Sequence, residues 1–144
     1  MPEPNEREQA MTTIGFIGLG IMGAPMARHL VAAGHRVRGF DLSPDAVSTL
    51  ASHGGEAASS IAEAVTGADI VITMLPADPQ VEAVILGADG VLAHCTKGSL
   101  LIDMSTVSPQ TSQAVAEAGA AKAVRVLDAP VSGGQAGAVE GVLS

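Results

Sequence analysis

The chain is poor in aromatic residues and in cysteine. Its 144 residues contain no tryptophan, no tyrosine, two phenylalanines and one cysteine, Cys95. A single cysteine excludes an intramolecular disulfide and a cysteine-based metal cluster, so we expect no metal site, and nothing indicates an oxidising compartment. With so few aromatic side chains the core must consist of alanine, valine, isoleucine, leucine and methionine, a composition that favours a parallel sheet between two layers of helices.

Basic residues and long apolar runs are also scarce. Seven Lys and Arg against fifteen Asp and Glu give a formal net charge of -8. This charge disfavours nucleic acid and anionic membranes as partners, because both require a basic face. No segment approaches the roughly 18 apolar residues of a transmembrane span. Residues 1–11 are mostly polar and lack the apolar centre of a signal peptide, so we expect a disordered leader and a cytoplasmic protein.

The most informative stretch is a short apolar run that ends in three spaced glycines. Residues 14–17 suit a central strand buried on both faces, and Gly18, Gly20 and Gly23 follow with the spacing G-x-G-x-x-G. In this pattern the first glycine permits a tight turn, the second lets a pyrophosphate approach the backbone, and the third lets the next helix pack closely. The N–H groups and positive dipole end of that helix bind an anion without a basic side chain.

The sequence around these glycines favours a dinucleotide site over a tight strand-to-helix turn with no ligand. A helix is predicted over residues 24–33, and a second strand over residues 37–40 leads into Asp41. This aspartate follows the glycines by about twenty residues, where a carboxylate accepts hydrogen bonds from ribose hydroxyls. Because Asp41 repels a 2′-phosphate and is followed by Leu42 rather than arginine, NAD is the expected cofactor. Arg38 lies near enough in sequence to keep NADP possible.

The remainder of the chain alternates between apolar runs and helical patterns. Strands are predicted over residues 14–17, 37–40, 56–57, 70–75, 100–103 and 124–127, and helices over residues 24–33, 44–52, 59–65, 79–86 and 109–123. This alternation predicts an α/β doubly wound parallel sheet, a Rossmann fold of six or more strands in the order 3-2-1-4-5-6. Residues 141–144 resemble the start of another strand, so we expect a dinucleotide-binding domain over residues 12–144 that is incomplete at its C-terminal end.

Polar and small residues follow the later strands, at the sheet edge where ligands bind in this fold. Ser105 and Ser132 offer hydroxyls, and Gly133 and Gly134 offer backbone N–H groups, which suit a small carboxylate or hydroxy acid. The alternative is that these are ordinary loops in which a serine caps a helix. Ser108 fits that alternative better, whereas for Ser105 and Ser132 the pattern alone leaves both interpretations open.

Four segments together resemble the β-hydroxyacid dehydrogenase family. They are GFIGLGIMGAPMA at 15–27, MLP at 74–76, LIDMSTVSP at 101–109 and DAPVSGG at 128–134. The resemblance implies the N-terminal NAD-binding domain of an oxidoreductase. Such an enzyme transfers hydride between NAD(P) and a small 3-hydroxy acid or its semialdehyde, of the 3-hydroxyisobutyrate or 2-hydroxy-3-oxopropionate type. Imine reductases and glyoxylate or succinic semialdehyde reductases share the glycine motif and remain alternatives.

The resemblance also implies roles for individual residues. The cofactor contacts that it implies are Gly18, Leu19, Gly20, Ile21, Met22, Gly23, Asp41, Leu75, Pro76, Gln80 and Thr106. The substrate contacts that it implies are Ser132, Gly133 and Gly134, with Ser105 beside them.

The family's acid–base residue has no counterpart in this sequence. The resemblance implies a lysine on a helix beyond Ser144, within a helical second domain that binds substrate and forms the homo-oligomer. Lys97 precedes a predicted strand and Lys122 ends a predicted helix, so both fall at the wrong edge of the sheet. We therefore expect a chain that binds cofactor without turnover. A non-catalytic nucleotide-sensing or partner-binding module is the rival hypothesis.

Overall fold

A computed structural model describes residues 11–144, so the predicted leader lies, except for Met11, outside the described residues. Six parallel strands form one sheet in the order β3-β2-β1-β4-β5-β6, which confirms the predicted doubly wound fold. None of the helices within residues 11–144 has the length and apolar character needed to cross a membrane. The elements are β1 (Thr13–Ile17), α1 (Gly23–Ala32), β2 (Arg36–Phe40), α2 (Pro44–Ser52), β3 (Glu56–Ala57), α3 (Ile61–Val65), β4 (Ile70–Thr73), α4 (Asp78–Val81) with a π-helical turn (Glu82–Leu86), α5 (Val91–His94), β5 (Leu100–Asp103), α6 (Pro109–Ala121), β6 (Arg125–Asp128) and α7 (Gly134–Glu140).

Serine residues set the start of three helices. The hydroxyls of Ser43, Ser60 and Ser108 accept hydrogen bonds from backbone N–H groups in the first turns of α2, α3 and α6 respectively. Proline follows the capping serine in α2 and α6, where its missing N–H costs nothing because that amide has no partner within the helix. The capping role predicted for Ser108 is therefore confirmed.

The chain between β4 and β5 differs from the prediction. β4 ends at Thr73 instead of residue 75, because the chain leaves the sheet before Pro76. The helix predicted over residues 79–86 is split into α4 and the π-helical turn, and the four-residue helix α5 was not predicted. Short helices of this kind give too few turns for an apolar period to be recognised.

The C-terminal segment does not form the strand predicted over residues 141–144. The chain forms α7 first, and Gly141, with a φ of 72°, ends that helix. The backbone groups of Ser144 then pair with those of Ser132, at 2.9 and 2.8 Å. Helix α7 was not predicted from the sequence, because its glycines and alanines give little difference in hydrophobicity between its faces.

The core consists of two apolar clusters, one on each face of the sheet. Ile17 packs with residues of α3, α5 and α6 on one face, whereas Ile14 and Phe16 pack with residues of α1 and α2 on the other. Strand β1 contributes to both clusters because successive side chains of a strand point to opposite faces. Phe16 is fully buried, and it is the one aromatic residue among the buried core residues of 11–144.

Replacing Phe16 with alanine should lower the free energy of unfolding by about 3–5 kcal/mol, because the large cavity left beside β1 cannot close. Urea denaturation measures the change. The control is Val142→Ala, whose side chain is 65% exposed and whose loss should change the free energy by less than about 0.5 kcal/mol. A loss below about 1 kcal/mol for the Phe16 variant would contradict its place in the core.

Candidate dinucleotide-binding site

A cleft opens at the carboxyl end of the sheet between β1 and β4. The chain leaves these two neighbouring strands toward opposite edges of the sheet, and such a switch point is where doubly wound folds bind ligands. The cleft has a volume of about 420 Å³. Its lining residues are Gly18, Gly20, Ile21, Met22, Gly23, Asp41, Met74, Leu75, Pro76 and Thr106. All of these except Met74 belong to the set of cofactor contacts expected from the sequence.

The three glycines of the motif meet different constraints. Gly18 has a φ of 99°, and a Cβ there would collide with the carbonyl oxygen of Met74. A Cβ on Gly23 would collide with the carbonyl oxygen of Gly18, so both positions require glycine for the fold itself. By contrast, a Cβ on Gly20 would meet no atom within 4 Å, and the backbone there is not in the left-handed region. The space in front of Gly20 is therefore available to a ligand.

Helix α1 presents its amino end to this cleft. Its regular geometry starts at Gly23, and Pro25 lies in the first turn. The N–H of Ala24 donates to the carbonyl oxygen of Gly20 at 2.9 Å and that of Met26 to the carbonyl oxygen of Met22 at 3.4 Å, so the missing N–H of Pro25 interrupts only the first turn. No side chain caps the helix, and its first turn contains no acidic residue. The positive end of the helix dipole is thus not neutralised locally, which suits an anionic pyrophosphate.

Asp41 lies at the end of β2 with its carboxylate held in place. Its Oδ2 accepts a hydrogen bond from the N–H of Leu19 at 2.8 Å, and its Oδ1 accepts one from the N–H of Ser43 at 2.8 Å. Arg38 donates to the carbonyl oxygen of Thr66 at 2.7 Å, and Thr66 ends α3 just before β4, at the amino edge of the sheet. Its guanidinium therefore does not stand beside Asp41 to compensate a 2′-phosphate.

Two of the expected cofactor contacts, Leu19 and Gln80, and the expected substrate contact Ser105 do not line the cleft. Ser105 is fully buried, and its Oγ accepts a hydrogen bond from the N–H of Leu75 at 2.9 Å. The side chain of Leu19 is buried in the core, so this residue reaches the site through its N–H group to Asp41. Gln80 is exposed on α4 and does not line the cleft.

The segment expected to bind substrate leads into α7, which packs against α1. Residues 132–134 are exposed and lead into α7, and they do not line the cleft. The imidazole Nε2 of His29 on α1 lies 3.0 Å from the carbonyl oxygen of Ala138 and 2.9 Å from that of Val139. This long-range contact, which the sequence did not indicate, ties α7 to the helix that borders the cleft.

Asp78 connects the first turn of α4 to the start of α6. Its Oδ2 accepts hydrogen bonds from the N–H of Ser108 at 3.1 Å and from the hydroxyl of Thr111 at 2.8 Å. These hydrogen bonds from Ser108 and Thr111 hold the pKa of the Asp78 carboxyl below its ordinary value. This link was not predicted, because its partners lie about thirty residues apart along the chain.

A carboxyl with a lowered pKa in the folded state stabilises the fold above its unfolded pKa, and that stabilisation is lost as the pH falls through the folded pKa. We expect Asp78→Asn to flatten the fall in thermal stability below about pH 4. Melting temperatures measured across this acid range check the expectation. Asp89→Asn, which changes an exposed aspartate, should keep the wild-type slope, and an unchanged slope in the Asp78 variant would refute the link.

These features define a class of protein. A doubly wound sheet with a glycine-lined cleft at its switch point, and a fixed carboxylate after the second strand, is a dinucleotide-binding domain. The family model described as the NAD binding domain of 6-phosphogluconate dehydrogenase matches residues 13–144. The chain belongs to this family of NAD-binding domains.

Several individual relatives within this family are dehydrogenases. A 3-hydroxyisobutyrate dehydrogenase of Pseudomonas aeruginosa is 54% identical over 93% of this chain and 45% of its own length. An NAD-dependent L-serine dehydrogenase of the same organism is 48% identical over the same shares. The structure of Mycobacterium tuberculosis 3-hydroxyisobutyrate dehydrogenase with L-serine superposes with a TM-score of 0.86 at 47% identity, over 92% of this chain and 45% of that one.

These comparisons confirm the resemblance to the β-hydroxyacid dehydrogenases and the prediction that the cofactor is NAD, with NADP possible. They also show how much of each relative this chain covers. The chain spans less than half the length of the relatives that it matches.

Proposed function

We propose that this chain is the cofactor domain of an enzyme that transfers hydride between NAD and a small 3-hydroxy acid or its semialdehyde. Two of the relatives are named for 3-hydroxyisobutyrate and for L-serine, and both of these compounds are carboxylic acids with a hydroxyl on the third carbon. This shared chemistry supports a substrate of the 3-hydroxyisobutyrate type. 2-Hydroxy-3-oxopropionate is a carboxylic acid with an aldehyde on the third carbon, and it is the second substrate to test.

The observation that carries the proposal is the pairing of an open glycine with a fixed carboxylate across one cleft. The pyrophosphate of NAD would lie against Gly20 and the amino end of α1, where a Cβ would meet no atom of the protein. Asp41 would accept hydrogen bonds from the hydroxyls of the adenosine ribose. Its carboxylate is already oriented by two backbone N–H groups. Leu75, Pro76 and Thr106 would form the opposite wall along the dinucleotide. Bound NAD would supply the hydride acceptor.

The described part of the chain offers no lysine at the cleft for proton transfer. Both lysines of the sequence, Lys97 and Lys122, lie just before β5 and β6, at the amino edge of the sheet. The cleft is at the carboxyl edge, so neither reaches a substrate bound there. We therefore propose that the chain binds NAD without turning over substrate on its own.

Calorimetric titration with NADH and NADPH tests the cofactor assignment. We expect NADH to bind more tightly, because the Asp41 carboxylate repels a 2′-phosphate. Assays with 3-hydroxyisobutyrate, L-serine and 2-hydroxy-3-oxopropionate follow, and they should show no turnover. Absence of NADH binding would refute the proposed function, whereas turnover would refute the proposed need for a proton-transfer group outside this chain.

A further inference from the structure

The strands beside the cleft diverge at their carboxyl ends, and this leaves backbone donors without partners in the sheet. Between β1 and β2 the ladder ends with the N–H of Gly18, which donates to the carbonyl oxygen of Phe40 at 3.0 Å. The next amide, that of Leu19, donates to the Asp41 side chain at 2.8 Å. The carboxylate that follows β2 thus accepts the hydrogen bond of an amide that has no carbonyl partner in the sheet.

A side-chain oxygen also accepts from a backbone amide on the other side of the cleft, between β4 and β5. Here the N–H of Met104 donates to the carbonyl oxygen of Thr73 at 2.9 Å. Beyond that point the N–H of Leu75 donates to the Ser105 hydroxyl at 2.9 Å. Ser105 is fully buried, so this hydroxyl faces the protein interior rather than the solvent.

A buried carboxyl group holds Ser105 in turn. Asp103 is only 4% exposed, and its Oδ1 accepts hydrogen bonds from the N–H of Ser105 at 3.1 Å and from the hydroxyl of Thr73 at 2.9 Å. Burying a carboxyl costs several kcal/mol unless it is well bonded, so a position like this needs a reason within the fold. The reason here is the connection from β5 through Ser105 to the segment that leaves β4.

We propose that Asp103 and Ser105 form a positioning clamp that holds the cleft wall at Leu75 and Pro76 ready for the dinucleotide. The proposal rests on the proposed function, and it makes Ser105 a positioning residue instead of a substrate contact. Pro76 restricts the backbone of Leu75 to extended conformations, and the hydrogen bond to Ser105 fixes the amide on its other side. A wall ordered in advance spares the ligand the entropy cost of ordering it.

Amide hydrogen exchange and NADH titration of the same 144-residue chain test the clamp. In Ser105→Ala we expect the Leu75 amide to exchange about tenfold faster or more, and the NADH dissociation constant to rise about tenfold, because one buried hydrogen bond is lost. The matched control is Ser99→Ala. Ser99 is a buried serine that directly precedes β5, at the opposite edge of the sheet from the cleft. This control should change neither quantity.

A conservative exchange separates positioning from general loosening. Asp103→Asn keeps an oxygen acceptor for both donors, so Leu75 exchange and the NADH dissociation constant should stay within about threefold of wild type. Asp103→Ala should instead reproduce the effects of Ser105→Ala. The amide of Val71, in the buried centre of β4, reports on the whole fold and should keep its protection in every variant.

Three results would overturn the clamp. The first is that the Leu75 amide exchanges at the wild-type rate in Ser105→Ala. The second is that it exchanges faster in this variant while the NADH dissociation constant stays unchanged. The third is that exchange accelerates equally at the Leu75 and Val71 amides. If the wild-type chain does not bind NADH, the proposed function fails instead, and the exchange of Leu75 in the ligand-free variants still decides whether the clamp exists.

Discussion

Replacing Gly20 with valine should strongly weaken NADH binding and leave the fold intact. The Cβ position of Gly20 faces open space, so the ligand-free protein accommodates a side chain there. The pyrophosphate needs that same space, and a branched side chain would push it away from the N–H groups at the start of α1. We expect the NADH dissociation constant to rise about a hundredfold or more, equivalent to about 2.7 kcal/mol, as measured by calorimetric titration.

Two further variants define what this result means. Ala116→Val introduces the same side chain on the exposed face of α6, away from the cleft, and should bind NADH like wild type. Gly23→Ala should lose thermal stability and NADH binding together, because its Cβ collides with the carbonyl oxygen of Gly18. If Gly20→Val binds NADH with wild-type affinity, the pyrophosphate does not lie against this glycine.

Replacing Asp41 with asparagine should remove most of the preference for NADH over NADPH. The variant keeps the shape of the side chain but loses its negative charge and one of the two oxygens that accept the Leu19 and Ser43 amides. The hydrogen bonds to the ribose therefore weaken, and the repulsion of a 2′-phosphate disappears. We expect the NADH dissociation constant to rise about tenfold, and the ratio of the two dissociation constants to fall by at least about tenfold. Parallel calorimetric titrations with both nucleotides measure this ratio.

The control for charge alone is Asp45→Asn. Asp45 lies in the first turn of α2, four residues beyond Asp41, and does not line the cleft. Its replacement makes the same change in net charge and should leave the ratio of dissociation constants within about twofold of wild type. A wild-type ratio in Asp41→Asn would show that the carboxylate does not contact the adenosine ribose.

The parts of the site that depend on local spacing were predictable from the sequence. The glycines follow a buried strand and open a helix, and Asp41 follows the next strand, so their places at the cleft come from the order of neighbouring elements. Leu75, Pro76 and Thr106 came from the resemblance to a family, and the structure puts all three on the lining of the same cleft.

The parts that depend on how separate strands diverge were not predictable. Ser105 and Leu75 are thirty residues apart, and whether a serine after a strand faces a ligand or a backbone amide depends on the gap between β4 and β5. The direction of Arg38 likewise depends on Thr66, which is twenty-eight residues away. Residue types and their spacing along the chain do not determine the distance from Ser105 to Leu75 or from Arg38 to Thr66.

The order of the strands has a consequence for how the protein folds. Strands β1, β2 and β3 form one half of the sheet and β4, β5 and β6 the other, and the halves meet where Ile14 pairs with Ile70. That pairing closes the longest loop in the sheet, so it has the largest loop-closure entropy cost among the strand contacts. The cleft lies across the boundary between β1 and β4, with Gly20 on one side and Leu75 on the other. A ligand held there cross-links the two halves, and it therefore opposes their separation most directly during unfolding.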